Sequence, residues 1–259
     1  MLRIMAIGDV TSPAAALWLS SRLWEVRRQH SIDLLLVNAE NAGFIMGPSA
    51  DSAKRLLEGG ADVLTGGNHM LQNFSLHKTL EENPRILRPI NYPAAAPGLG
   101  YTVVDAKGYR VLVLNALGRV HMDTLTDSPF TAIDAALQRE KGRYDVAVLD
   151  FHAEATGEKL AIGHHLDGRV AAVFGTHTHV PTADTKILPK GTGYVSDLGM
   201  CGADGGIIGM SAESVLHRYL TSLPGKFQAA EGPMYADAVI FTVDEASGSA
   251  KAVERIRID

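Results

Sequence analysis

Five short, continuously apolar runs, each closing on a polar cluster, constrain this chain more than any other feature. Leu2–Ile7 leads into Gly8-Asp9, Ile32–Val37 into Asn38-Ala39-Glu40-Asn41, and Asp62–Leu64 into Gly66-Gly67-Asn68-His69. Further on, Asp145–Leu149 leads into Asp150-Phe151-His152, and Val170–Phe174 into Gly175-Thr176-His177-Thr178-His179. Runs that stay apolar without alternating suit strands covered on both faces. Helical stretches stand between them to supply that cover: Pro13 opens one from Ala14 to Gln29, and others run from Ser49 to Glu58 and from Ser128 to Glu140. A layered α/β protein is the economical fold. Tyr101–Asp105 and Arg110–Asn115 flank Ala106-Lys107-Gly108-Tyr109 as a hairpin with glycine in its turn, which makes the sheet mixed. Ala236–Val243 and Ala252–Ile258 read as a closing antiparallel pair. No repeat or linker divides the 259 residues, the Pro-rich stretch Pro89–Pro97 being short, so a single domain over 1–259 is expected.

In open α/β folds, ligand sites gather outside the carboxyl ends of the strands, where residues far apart in sequence meet. The clusters at these ends hold metal-ligand types: Asp9, Glu40, Asn41, Asn68, His152, His177 and His179. Seven donors exceed what one tetrahedral ion takes and suit two ions sharing a carboxylate, for which Glu40 is the natural bridge. The chain has ten histidines beside one cysteine, so imidazole and carboxylate must do the holding, a donor set that suits iron, manganese or zinc. The spacing His177-Thr178-His179 lets alternate side chains reach two adjacent ions from an extended or turning segment.

Charge and hydropathy exclude other classes. A net charge of −5 argues against a nucleic-acid or acidic-lipid partner, and no apolar stretch approaches the roughly 18 residues of a membrane helix. Cys201 has no disulfide partner within the chain and the N-terminus carries no signal-peptide pattern, so a cytoplasmic location is expected.

The motifs GD at 8–9, NAEN at 38–41, GNH at 67–69, RPIN at 88–91, DFHAEATGEK at 150–159, GTHTHVPTAD at 175–184 and DLGMCG at 197–202 occur in order across nearly the whole chain. Together they resemble the YmdB-like branch of the calcineurin-type metallophosphoesterases. In most of that superfamily the first motif reads Asp-X-His and the second supplies a bridging Asp. Here Thr11 and Glu40 take those places, as in this branch, with Asn41 filling the vacant coordination position. The resemblance implies a four-layered α/β/β/α sandwich with mixed sheets, and a dinuclear centre of divalent or trivalent ions, iron before manganese or zinc. It also implies phosphodiesterase activity toward 2',3'-cyclic and secondarily 3',5'-cyclic nucleotides, by attack of a hydroxide bridging the metals. By the same resemblance one metal takes Asp9, Glu40, Asn41 and His179, the other takes Glu40, Asn68, His152 and His177, and His69 is the catalytic imidazole. A small nucleotide or phosphodiester is then the partner, and a homo-oligomer is compatible. Departures cluster on the pocket wall: Thr11-Ser12-Pro13, Gly43-Phe44-Ile45-Met46, and Met70-Leu71-Gln72 where the family has Thr-Trp-Asp. They put the substrate preference, not the metal set, in question.

Two other readings compete. Metal-dependent amide or nucleobase hydrolysis on a barrel places its His-X-His after the first strand, whereas here the pair comes late. A metal-bearing regulatory or RNA-associated protein with weak or lost catalysis would keep the ligands but has no need of His69. The remaining histidines, His30, His77, His121, His164, His165 and His217, read as surface residues. Gly202–Gly206 reads as a flexible loop over the site, Cys201 as no nucleophile, and Glu154, Glu158 and Lys159 as capping or helix-face charges.

Overall fold

The computed structural model describes residues 1–44 and 47–259. The part of the expected pocket wall at Ile45 and Met46 lies outside the described residues. The first half of the chain forms β1 (Leu2–Ile7), β2 (Asp9–Val10), α1 (Pro13–Ser20), α2 (Leu23–Gln29), β3 (Leu34–Asn38), α3 (Ala50–Glu58), β4 (Val63–Thr65) and α4 (Phe74–Glu82). The middle forms β5 (Tyr101–Ala106), β6 (Tyr109–Leu117), α5 (Pro129–Arg139), β7 (Val146–His152), α6 (Thr156–Leu166), β8 (Ala172–Thr176), β9 (Lys186–Ile187) and β10 (Gly193–Val195). The chain then forms β11 (Met200–Ala203), β12 (Gly206–Ile207), β13 (Met210–Ser211), α7 (Ala212–Thr221), β14 (Met234–Asp244) and β15 (Ser249–Ile258).

Two main sheets result, one ordered β2-β11-β14-β1-β3-β4 with β15 on β14, the other β5-β6-β7-β8-β10-β9, beside a small β12–β13 pair. Both are mixed: β1 pairs parallel with β3 and antiparallel with β14, while β6, β7, β8 and β10 run parallel beside the β5–β6 hairpin. Because side chains alternate along a strand, each strand feeds two cores. Leu2, Ile4, Leu34, Leu36, Val111, Val113, Val146, Val148 and Phe174 point between the sheets. Met5, Ile7, Leu35 and Val37 pack outward with Leu19, Leu23, Leu56 and Leu76 of the first helical layer. On the far side Leu112, Leu114, Leu149 and Val173 meet Ile133, Leu137, Ile162 and Leu166 of α5 and α6. This is the expected four-layered sandwich. Among the described residues no helix is long and apolar enough to cross a membrane.

Four local expectations need correction or extension. The helix from Ala14 to Gln29 is two helices: Ser12 caps the first by accepting from the Ala15 N–H, and Pro13 occupies its first turn. The break follows from Ser20 and Ser21, whose hydroxyls donate back to the Leu17 and Trp18 carbonyls and compete with the next helical turn. Gly202 belongs to the buried strand β11, which pairs with β2 and β14, so no flexible loop begins there. Finally, the C-terminal pair does more than close the fold, since β14 lies inside the first sheet with β1 and β11 along one side and β15 along the other. The β5–β6 hairpin is tighter than expected, turning on Lys107 and Gly108 alone, both at positive φ.

Candidate metal centre

The strands that face the inter-sheet core with apolar side chains change to polar ones at their carboxyl ends. Asn38, Thr65, Asn115, Asp150 and Thr176 occupy the next inward positions on β3, β4, β6, β7 and β8, and all are fully or almost fully buried. They knit the two sheets together. Asn38 Nδ2 donates to Asp150 Oδ2 at 2.9 Å, Thr65 donates its hydroxyl to the same oxygen, and Thr176 Oγ1 donates to Asp150 Oδ1 at 2.8 Å. Asn115 closes a pair of hydrogen bonds with Gly66, Oδ1 accepting from its N–H at 3.0 Å and Nδ2 donating to its carbonyl at 2.9 Å. Burial drives the Asp150 carboxyl up to about 6 although these three donors oppose the shift.

On this belt sit the seven candidate donors. Asp9 follows β1, and Asp9 Oδ2 accepts from the His177 N–H at 3.1 Å. Asn38 Oδ1 accepts from the Glu40 N–H at 2.9 Å, which turns the chain so that Glu40 Oε1 accepts from the His69 N–H at 2.6 Å. His152 ends β7 with Nε2 at 3.1 Å from Asn68 Oδ1, 3.0 Å from His177 Nδ1 and 3.7 Å from Glu40 Oε1. Gly67 allows this approach, because a Cβ there would overlap the His152 ring. His179 Nε2 lies 3.4 Å from Asn41 Nδ2 and 3.9 Å from Asp9 Oδ1, while its Nδ1 meets the Ile208 carbonyl at 2.9 Å. The structure thus brings all seven together, with His69 beside them. Asn41 spends its amide oxygen on His69 Nδ1 at 2.9 Å and turns its nitrogen to His179.

The backbone that carries His177 and His179 is strained. Both take positive φ, 103° and 61°, each at a cost of about 1–3 kcal/mol, so the turn must be held from outside. A buried ion pair does this. Lys159 Nζ sits 2.7 Å from Asp197 Oδ2 and donates to the Thr176 carbonyl at 2.8 Å, and Asp197 accepts from the Thr178 and Gly199 N–H groups. Lys159 is therefore no helix-face charge. Its neighbour Glu158 accepts from the Arg119 and Val120 N–H groups, and Glu154 Oε2 meets His177 Nε2 at 3.1 Å. The β12–β13 hairpin, beyond β11, supplies the Ile208 carbonyl to His179.

Charge is unbalanced here. Burial, then the neighbouring carboxylates Asp197, Asp150 and Glu40, raise the Asp9 carboxyl well above its ordinary value, opposed by the His177 N–H. Burial likewise lowers His152, His177 and His179, keeping the rings neutral, the form in which imidazole binds metals. Burial also opposes a charged His69, but the Glu40 hydrogen bond and charge outweigh it and raise the ring. Asp9 Oδ1 and Glu40 Oε2 are buried and have no hydrogen-bond partner among the described residues. Unpaired buried carboxylate oxygens among neutral imidazoles and amides form a donor set that cations complete. Among the described residues no three His, Cys, Asp or Glu side chains stand ready to hold an ion by themselves; the side chains lean on one another, and two of the seven donors are amides.

Sequence reasoning missed Asn38, Thr65, Asn115 and Thr176 as parts of the site. Period-two alternation carries the signal for them, since each stands two residues beyond an inward apolar position. It also missed Tyr92, whose phenol approaches the Asn68 carbonyl at 3.5 Å and is pushed up to about 12 by burial and then by Glu40. The histidines expected at the surface stay out of the centre, His165 pairing with Asp134. Cys201 is buried, which raises its thiol pKa and makes it a poor nucleophile.

A two-sheet sandwich with this cluster at its strand ends is the metallophosphoesterase fold, and on fold alone it resembles the NAD nucleotidase of Haemophilus influenzae. The TM-score is 0.58 at 14% identity, over 99% of this chain and 55% of that one. Residues 5–256 match the YmdB-like protein family, and the chain belongs to it. It is 38% identical to the 2',3'-cyclic-nucleotide 2'-phosphodiesterase of Bacillus subtilis (strain 168), covering 100% of this chain and 97% of the relative. A crystal structure of a Thermus thermophilus protein described as hypothetical superposes with a TM-score of 0.91 at 38% identity, over 99% and 98% of the two chains. That of a Mycoplasma pneumoniae protein described as a novel phosphatase gives 0.90 at 30% identity, over 99% and 93%.

Proposed function

We propose that residues 1–259 act as one cytoplasmic domain that hydrolyses nucleotide phosphodiesters, 2',3'-cyclic ones first and 3',5'-cyclic ones second, with two metal ions. The observation that carries this reading is the pair of buried oxygens, Asp9 Oδ1 and Glu40 Oε2, that lack a hydrogen-bond partner among the described residues and lie among His152, His177 and His179. Asp9, Asn41 and His179 would hold one ion, Asn68, His152 and His177 the other, with Glu40 shared. Iron, then manganese or zinc, suits these mixed donors. When bound, the ions supply Lewis acidity toward phosphoryl oxygens and lower the pKa of water.

The chain's own residues supply the rest. Glu40 Oε1, taking the His69 N–H, fixes the backbone beside the centre, and Asn41 Oδ1 takes the ring at Nδ1. The His69 Nε2 end has no hydrogen-bond partner among the described residues, and its side chain is 29% exposed. It can therefore deliver a proton to the departing ribose oxygen, the role proposed for it. Asn41 must rotate its amide to present oxygen to an ion, which takes that oxygen off His69 Nδ1 and leaves the ring to Glu40 Oε1, 3.2 Å away.

Purified protein loaded with manganese or iron tests this on four substrates: a 2',3'-cyclic nucleotide, a 3',5'-cyclic nucleotide, an aryl phosphodiester and an aryl phosphomonoester. The reading expects the 2',3'-cyclic nucleotide to have the highest kcat/KM. A metal-loaded protein inert on all four would instead favour the regulatory alternative.

A further inference from the structure

We infer that Thr176 and Asp150 are positioning residues that fix the tautomer of His152, so that Nε2 presents a bare lone pair to the centre. The role of that lone pair rests on the metal-binding reading above; the tautomer itself does not.

The argument is a count of protons. Thr176 Oγ1 has three polar neighbours: Asp150 Oδ1 at 2.8 Å, His152 Nδ1 at 2.9 Å and Asn38 Nδ2 at 3.2 Å. A hydroxyl has one proton to give. Asp150 Oδ1 faces it as an acceptor, whereas Asn38 Nδ2 is a donor only, so the hydroxyl proton goes to Asp150 and the oxygen accepts from the other two. The ring hydrogen of His152 then goes to Nδ1, where Thr176 Oγ1 at 2.9 Å is a nearer acceptor than the Asn68 amide oxygen at 3.1 Å from Nε2; the other approach of Nδ1, to Asp9 Oδ1, is 3.7 Å, too long to compete. The direction of the relay is locked because Asp150 Oδ2 already accepts from Asn38 and Thr65. Register places the groups: His152 and Thr176 are paired neighbours on β7 and β8, and Asp150 and Thr176 face the same core.

Nε2 is therefore left without a hydrogen. A hydrogen on His177 Nε2, which lies 3.1 Å from the Glu154 carboxylate, leaves Nδ1 bare. Three lone-pair atoms then crowd together, His152 Nε2, His177 Nδ1 and Asn68 Oδ1, at 3.0 and 3.1 Å from the first. Donors set at right angles around one ion at about 2.0–2.2 Å stand about 3 Å apart, so this spacing is compatible with neighbouring positions of one coordination shell.

The test uses full-length, metal-free protein labelled with nitrogen-15 in histidine and read by long-range proton–nitrogen NMR, with manganese affinity measured by calorimetry. Wild type and Thr176→Ser should show His152 with hydrogen on Nδ1. Thr176→Val should lose that preference and bind manganese about 10–100-fold more weakly. Asp150→Asn is the second variant. Its amide oxygen would stay with the donors Asn38 and Thr65, its NH2 would face Thr176 Oγ1, and the hydroxyl proton would turn to His152 Nδ1, moving the ring hydrogen to Nε2. A His152 that keeps its hydrogen on Nδ1, as in wild type, in folded Thr176→Val or folded Asp150→Asn would overturn the inference. Neither readout involves a phosphoester, so a wild type inert on every substrate would defeat the proposed activity and leave the tautomer result standing.

Discussion

Lys159→Met should lower the melting temperature by roughly 10 °C, corresponding to about 3–5 kcal/mol, with differential scanning calorimetry as the measurement. The size follows from what is left behind. Methionine keeps the apolar stem that packs near Gly175 but removes the cation, and Asp197, 1% exposed, becomes a buried carboxylate without its partner. Asp197 also faces Asp9, so its uncompensated charge adds to the carboxylates already crowded at the centre. The strained turn at His177 and His179 would lose the Lys159 anchor on the Thr176 carbonyl, so metal retention should fall as well. In the double variant Lys159→Met with Asp197→Asn, much of the stability should return, because the orphaned charge is gone. A single variant that melts within about 2 °C of wild type would mean that the pair does not hold the turn.

Glu40→Gln should have the larger effect on function and almost none on the metal-free fold. Removing one preorganised electrostatic group typically costs about 10²–10³ in rate, and Glu40 is proposed to serve both ions, so the loss in kcat for a 2',3'-cyclic nucleotide should exceed about 10³-fold. Metal-free, the variant should melt no lower than wild type. Glu40 Oε2 is buried without a partner among the described residues and its charge is a liability there; the amide oxygen can still accept the His69 N–H. A carboxylate kept for structure would give the reverse pattern, with stability lost and turnover kept.

Much of this was legible in the chain because parallel strands buried on both faces leave an unmistakable apolar run, and the fold places their carboxyl ends together. Asp9, Glu40, Asn68, His152, His177 and His179 all stand just beyond such runs, and the structure gathers them. The partition of α1 from α2 was not legible from apolar spacing, since it depends on two serine hydroxyls bonding backward. Lys159, read as a capping or helix-face charge, and Asp197, which entered only as part of the 197–202 motif, are 38 residues apart in the chain, and the loop between β10 and β11 brings them together. Glycine near Cys201 suggested flexibility, whereas Gly202 lies in a strand packed so close to Thr11 that a Cβ would overlap its hydroxyl. In each case the deciding contact is non-local or a single hydrogen bond, and neither alters the hydrophobic pattern.

The central claim is that the buried carboxylates and imidazoles at the strand ends hold the ions on which hydrolysis depends. Metal content and turnover of a 2',3'-cyclic nucleotide, followed together through chelator treatment and stepwise readdition of manganese or iron, test it most directly, with Asp9→Ala alongside. The account predicts that turnover vanishes with the metal and returns as occupancy approaches about two ions per chain, while Asp9→Ala neither retains metal nor recovers. Hydrolysis that persists after complete metal removal would contradict it.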